Sequence, residues 1–183
     1  MAKIVVFNML SLDGFFAGVG GDISWHNVDG EFNEFAIKQT REFGALLFGR
    51  VTYDLMYGYW PSEDALKNDP IVAGIMNNAD KIVFSKSLKK AEWKNTKVIK
   101  EIEKLEIETL KQQAEKDLAI FGSGTIVQKF TELGLVDEYR LMINPVVLGS
   151  GKPLFRKHQK LQLMSSREFK NGNVLLNYAK TNN

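Results

Sequence analysis

LAIFGSGTIVQKF, residues Leu118 to Phe130, runs from an apolar segment of strand type through Gly122-Ser123-Gly124 into a helix. Ile126, Val127, Phe130 and Leu133 share one face of that helix, and Gly134 stops it. In an open α/β sheet, ligands sit where strands end, because helix N-termini turn unpaired N–H groups and a positive dipole toward anions. Two other stretches have the same form. Gly49-Arg50-Val51-Thr52 follows the strand ALLFG, which begins at Ala45, and adds an arginine and a hydroxyl at a helix start. Ser85-Lys86-Ser87 follows KIVF, which begins at Lys81, and offers a hydroxyl and a cation to a further phosphate. Val127 stands where a dinucleotide fingerprint has its third glycine, and no P-loop is present. Singly, each turn is an ordinary strand-to-helix connection; together they line one edge of one sheet.

Working outward, Lys3 to Leu10 predicts a buried first strand, ended by Asp13-Gly14. A glycine-rich loop with Gly14, Gly18, Gly20 and Gly21 follows and closes on Asp22-Ile23-Ser24-Trp25, a composition that predicts mobility. Phe32, Phe35, Ala36 and Phe43 recur at helical spacing, with Asp29 as cap and Gly44 as stop. A short helix from Arg50 to Tyr57 is halted by Gly58, and Asp69-Pro70 opens another. Lys81–Ser85 and Thr96–Lys100 predict strands, and Ile102, Leu105 and Leu110 a helix. Tyr139, Leu141 and Ile143 alternate, and Pro145 to Phe155 is a loop-rich connection. Leu161–Lys170 and Val174–Lys180 flank Asn171-Gly172, a hairpin signal. The sum is an α/β fold: a mostly parallel mixed sheet with helices on both faces and an antiparallel C-terminal hairpin, one domain over residues 1–183.

Charge is balanced, 24 basic against 22 acidic side chains, too little for the field that nonspecific nucleic-acid binding needs. The basic run from Lys86 to Lys100 reads as a solvated loop and strand edge. Absent cysteine excludes disulfides and thiolate nucleophiles and suits a reducing cytosol. His26 and His158 are the two histidines, each read as a surface or loop residue, so no metal is expected. No apolar run approaches the roughly 20 residues of a membrane helix, so a cytoplasmic protein without membrane contact is expected.

Five collinear segments carry a resemblance over nearly the whole chain: Ser11-Leu12-Asp13-Gly14, LLFGRVTYD at Leu46–Asp54, IVFSKSL at Ile82–Leu88, LAIFGSGTIVQKF, and VDEYRLMINPVVLGSGKPLF at Val136–Phe155. The sequence resembles the dihydrofolate reductase fold family, in particular the C-terminal reductase domain of the bifunctional riboflavin deaminase-reductase. The resemblance implies NADPH as cofactor. It assigns Gly49, Arg50 and Thr52 to the cofactor phosphates, Ser85 and Lys86 to the adenosine 2′-phosphate, and Gly122, Ser123, Gly124, Thr125 and Ile126 to the pyrophosphate and nicotinamide. Gly14 to Trp25, with Gly18, resembles the loop that closes over the nicotinamide. Ser11, Trp25 and Phe32 fall toward the substrate. Gly122-Ser123 stands where the family usually has Gly-Gly joined by a cis bond, so the backbone there is an open question. A homodimer is expected by analogy.

Such a reductase passes a hydride to a polarised C=N carbon and needs a proton source, often a carboxylate with a raised pKa. Asp29, among Trp25, Phe32 and Phe35, is the first candidate, with helix capping as its other reading. Asp13 is the second, with an Asp-Gly turn as its other reading, and Glu31 is a weaker third. The implied reaction is reduction of a pterin- or pyrimidine-like heterocycle, including the ribosylamino-uracil intermediate of riboflavin synthesis. The cysteines of the attached deaminase's zinc site are absent here, which leaves another heterocycle open. The alternatives are dihydrofolate reductase proper, an NADPH-binding protein without turnover, and a structural dimer-forming domain built on the hairpin and strand Glu138–Asn144.

Overall fold

β1 (Ile4–Ser11) is the centre of the sheet in the computed structural model, which describes residues 1–181. Apart from the buried Asn8 and Ser11, its residues have apolar side chains on both faces, as a strand covered on both sides requires. Ile4, Val6 and Leu10 enter one core cluster, and Val5 and Phe7 the other. Parallel neighbours flank it: β6 (Asp117–Phe121) on one side and β7 (Glu138–Asn144) on the other. Beyond β6 lie β3 (Phe43–Gly49), β4 (Asp80–Phe84) and β5 (Thr96–Ile99), all parallel. Beyond β7, β10 (Val174–Lys180) and β9 (Leu161–Glu168) form the antiparallel hairpin. The order is β5-β4-β3-β6-β1-β7-β10-β9. A separate ribbon pairs β2 (Phe15–Ala17) with β8 (Lys152–Pro153).

Helices cover both faces. α5 (Lys104–Gln113) and α6 (Gly124–Glu132) bring Ile107, Ile126, Val127 and Phe130 to the first cluster. α1 (Gly30–Glu42), α2 (Arg50–Tyr59) and α4 (Pro70–Asn78) bring Phe32, Tyr53 and Met76 to the second. Among the described residues no helix is long and apolar enough to cross a membrane.

Local reading of the sequence errs at several boundaries. Phe43 belongs to the strand, because its extended backbone (φ −90°, ψ 143°) turns the ring edge-on against Phe121 at 5.9 Å. α2 passes through Gly58 to Tyr59, a glycine tolerated inside a helix at a cost of about 1 kcal/mol. α3 (Glu63–Asn68) has no apolar period to announce it; the Ser62 hydroxyl caps it by accepting from Ala65 N at 3.2 Å. Asp69 precedes α4 without making a side-chain cap.

Lys81 is a buried cation, 1% exposed, and unlike the buried Lys111, which pairs with Asp137, it has carbonyl partners. Its Nζ donates to the carbonyls of Met76 (3.0 Å) and Ala79 (2.6 Å) at the end of α4 and lies 4.5 Å from the Trp93 ring centre. Burial pushes its pKa down to about 8. The folded value lies below the unfolded one, so the unfolded chain binds more protons between them and stability rises with pH across that window. The unfolding free energy of the protein, relative to Lys81→Met, is therefore expected to grow by about 1–3 kcal/mol from about pH 8 to about pH 10.5. Urea titrations at both pH values check this; a constant difference would show that the carbonyls solvate the ammonium as well as water does.

Candidate active site

Two helices begin side by side at the C-terminal edge of the sheet. β3 ends at Gly49 and β6 at Phe121, and the Ser123 hydroxyl accepts a hydrogen bond from Gly49 N at 2.9 Å. A Cβ on Gly49 would lie 2.3 Å from Ser123 Oγ and 2.9 Å from Ile126, so only glycine allows this junction. Gly122 (φ 61°) and Ser123 (φ 59°, ψ 63°) are both left-handed, which turns the chain sharply into α6. A Cβ on Gly122 would come within 3.3 Å of the Thr52 methyl. Among the described residues no peptide bond is cis, so the Gly122–Ser123 link is trans. The amides of Arg50 and Val51 in α2 and of Gly124 and Thr125 in α6, by their place at the first two helical positions, lack intrahelical acceptors and together form a donor-rich edge.

Gly124 makes room for an aromatic ring: Phe16 occupies the place a Cβ would take, with the nearest ring carbon 2.3 Å away. Phe16 has no helical or strand period that would have marked it; only the pairing of β2 with β8 carries it there.

Arg50 stands at the first position of α2. Its Nε donates to Asp54 at 3.1 Å and its Nη1 to the Ser87 hydroxyl at 3.0 Å, which joins the α2 turn to the turn after β4. Ser85 is buried, and its hydroxyl accepts from Leu88 N at 3.0 Å and Ser87 N at 3.3 Å. Ser85 therefore shapes the turn, and Ser87 presents the hydroxyl. Lys86 meets Glu101 at 2.9 Å, with both side chains more than half exposed.

The carboxylates have distinct settings. Asp29 caps α1: its Oδ1 accepts from Phe32 N at 2.9 Å, and Oδ2 has no protein partner among the described residues. Asp13 Oδ2 accepts from Gly149 N at 2.7 Å and Oδ1 from Leu148 N at 3.2 Å. The Ser11 hydroxyl and those amides hold the Asp13 carboxyl below the usual carboxylate range. Glu31 accepts from Lys170 N at 3.0 Å and pairs with Arg167 at 2.9 Å, and these two partners lower its pKa in that order. Ser11 and Phe32 are buried, and both frame the site rather than line its surface. Trp25 donates its Nε1–H to Asp22 O at 3.0 Å and packs edge-on to His26. Gly18 N donates to Asp22 O at 2.7 Å, so the loop closes on itself. Its start is paired in the β2–β8 ribbon.

An asparagine network fixes the other end of that loop. Asn27 N donates to Asn144 Oδ1 at 2.8 Å, Asn27 Nδ2 to Asn171 O at 2.7 Å, and Asn173 Nδ2 to Asn27 O at 2.7 Å. The Asn171-Gly172 turn signal gives the hairpin but no hint of a partner 144 residues away. His26 sits beside this network; burial lowers its pKa, and the Asp22 carboxylate opposes that shift. A cavity of about 310 Å³ lies away from the edge, beside the later turns of α6, between Gln128, Thr131, Phe155 and His158.

The profile of the family described as RibD C-terminal domain matches residues 2–175. This chain belongs to that family. This RibD C-terminal domain protein is 30% identical over 185 residues to the uncharacterized protein YyaP of Bacillus subtilis (strain 168), covering 96% of this chain and 94% of that one. Two solved structures show the same fold. One is the diaminohydroxyphosphoribosylaminopyrimidine deaminase/5-amino-6-(5-phosphoribosylamino)uracil reductase of Thermotoga maritima, with a TM-score of 0.68, 15% identity, and coverage of 98% of this chain and 57% of that one. The other is the dihydrofolate reductase of Enterococcus faecalis complexed with NADP(H), with a TM-score of 0.66, 13% identity, and coverage of 98% and 97%. The sheet and its flanking helices are thus of the dihydrofolate reductase-like, RibD reductase type.

Proposed function

We propose that this protein is an NADPH-dependent reductase that transfers a hydride to a pterin- or pyrimidine-like heterocycle. The observation that carries this reading is the junction of two helix amino ends at one sheet edge, Gly49 N to Ser123 Oγ, with Arg50 and Lys86 beyond it. The donor set fits a dinucleotide. First-turn amides of two helices suit a pyrophosphate, and Arg50 has five N–H groups, of which two are engaged within the protein. Bound NADPH would supply the hydride from its nicotinamide. The protein's part is to hold the phosphates at Gly49, Arg50, Thr52 and the Gly122–Ile126 turn, to orient the dinucleotide along the edge, and to offer Asp29 Oδ2 as the oxygen through which a proton passes. The NADP(H) complexed with the Enterococcus faecalis dihydrofolate reductase supports the cofactor, and the name of the Thermotoga maritima protein supports a pyrimidine-type substrate. A chain without cysteine suits a cytoplasmic setting. The outer edge of β9, with Leu163 and Met164 exposed, supports an edge-to-edge homodimer.

A second reading, cofactor binding without turnover, draws on Asp13 and Glu31, which both have lowered pKa values and are committed to backbone partners. Oxidation of NADPH with any member of a panel of pterins, pyrimidines and aldehydes would exclude it.

Lys86 tests the phosphate assignment. Its contact with Glu101 is exposed and worth at most about 1 kcal/mol, so it yields to a phosphate. Lys86→Ala is expected to weaken NADPH by about tenfold and NADH by little, because the extra charge is what the ammonium meets. Fluorescence titration with both cofactors checks this, and equal losses would remove the 2′-phosphate from this turn.

A further inference from the structure

Ser11-Leu12-Asp13-Gly14 and Leu148-Gly149-Ser150-Gly151 are far apart in sequence and form one unit in space. Leu12 N donates to Val146 O at 2.8 Å, Asp13 takes the amides of Leu148 and Gly149, and Leu154 N donates to Gly14 O at 3.3 Å. The Ser11 hydroxyl accepts from Phe15 N at 3.0 Å, which aims the chain into β2. A Cβ on Gly151 would lie 2.4 Å from Ala17 O, so the two segments meet backbone to backbone. Phe16 projects from the middle of this ribbon, with its ring against Gly124 in the first turn of α6 and packed on the first core cluster. The ring is an apolar wall beside amides that lack intrahelical acceptors.

We propose that Asp13 is a positioning residue: by gripping the Leu148 and Gly149 amides it fixes the β2–β8 ribbon and holds the Phe16 ring at the amino end of α6, as one wall of the cofactor cleft. Its role in cofactor binding rests on the reductase reading above. A general acid needs a proton to give, whereas both Asp13 oxygens already accept from backbone N–H groups, which favours the ionised form. Loosening the clasp leaves Phe16 to be ordered when the cofactor binds, and affinity falls by that ordering cost.

A double-mutant cycle tests this. Asp13→Ala and Phe16→Ala are each expected to raise the Kd for NADPH about five- to tenfold, and the double variant by no more than Phe16→Ala alone, since both remove the same wall. Asp13→Asn keeps one acceptor oxygen and should fall between wild type and Asp13→Ala; it also serves if the alanine variant fails to fold. With saturating NADPH, kcat and its pH profile should stay near wild type in Asp13→Asn. Additive losses in the cycle, or a collapsed kcat with an altered pH limb, would overturn the proposal. Hydrogen exchange without cofactor separates it from the reductase reading: amides in residues 14–18 and 146–151 should exchange faster in Asp13→Asn. Unchanged exchange refutes the clasp. Wild-type protein that binds no NADPH while exchange rises refutes the cleft-wall role and the reductase reading, leaving only the ribbon clasp.

Discussion

Replacing Arg50 with alanine is expected to raise the Kd for NADPH by about ten- to a hundredfold, the loss that follows removal of a charge-assisted hydrogen-bond donor. The guanidinium is already oriented, by Asp54 at 3.1 Å along its own helix and by Ser87 at 3.0 Å across from the next turn. Little rotamer entropy therefore remains to be lost on binding, and its unused N–H groups add to the amides at the start of α2. The fold should hardly notice the change. The Arg50–Asp54 pair is exposed, with both side chains near half accessible, and such i,i+4 pairs contribute a few tenths of a kcal/mol. A Tm within a few degrees of wild type together with a large rise in Kd, read by calorimetry, is the expected combination. The affinity loss should shrink as salt rises, because the missing term is electrostatic. Unchanged Kd would move the phosphates off this edge.

Asp29→Asn should slow hydride transfer by about 10²- to 10⁴-fold while leaving cofactor affinity near wild type. Asparagine is the informative substitution here because it caps helices as well as aspartate, so the bond to Phe32 N and the start of α1 are preserved. What it removes is an oxygen able to carry a proton, at the position where Oδ2 has no protein partner among the described residues. Single-turnover oxidation of bound NADPH measures the step directly, free of product release. Wild-type rates in the variant would take Asp29 out of the chemistry, and a lowered Tm would show that the cap had been disturbed instead.

The two substitutions depend on different kinds of information. Arg50 was legible because a charged residue at the start of a helix after a buried strand has a local meaning, and so was the Gly122–Thr125 turn. The partner that orients Arg50 was not: Ser87 lies 37 residues on, and only the parallel pairing of β3 with β4 brings the turns together. Ser85 shows the same limit from the other side. Its place after KIVF suggested a hydroxyl for a ligand, yet burial turns it onto its own loop. Asn171 signals its own turn and nothing more, while Phe16 and the asparagines at 27, 144 and 173 carry no local signal, because a single polar or aromatic residue fits many environments.

The amino-acid sequence alone determined the alternation of strand and helix, the terminal hairpin, and which turns face the donor-rich edge, because period, caps and glycines act over a few neighbouring residues. The tertiary structure decided what fills that edge: the ring of Phe16 over Gly124, the Ser123 hydroxyl under Gly49, and the Asp13 carboxylate on Leu148 and Gly149. Each of these contacts joins segments tens to more than a hundred residues apart. Side chains meet there through strand order and register, and no pattern read along one stretch of chain contains that information.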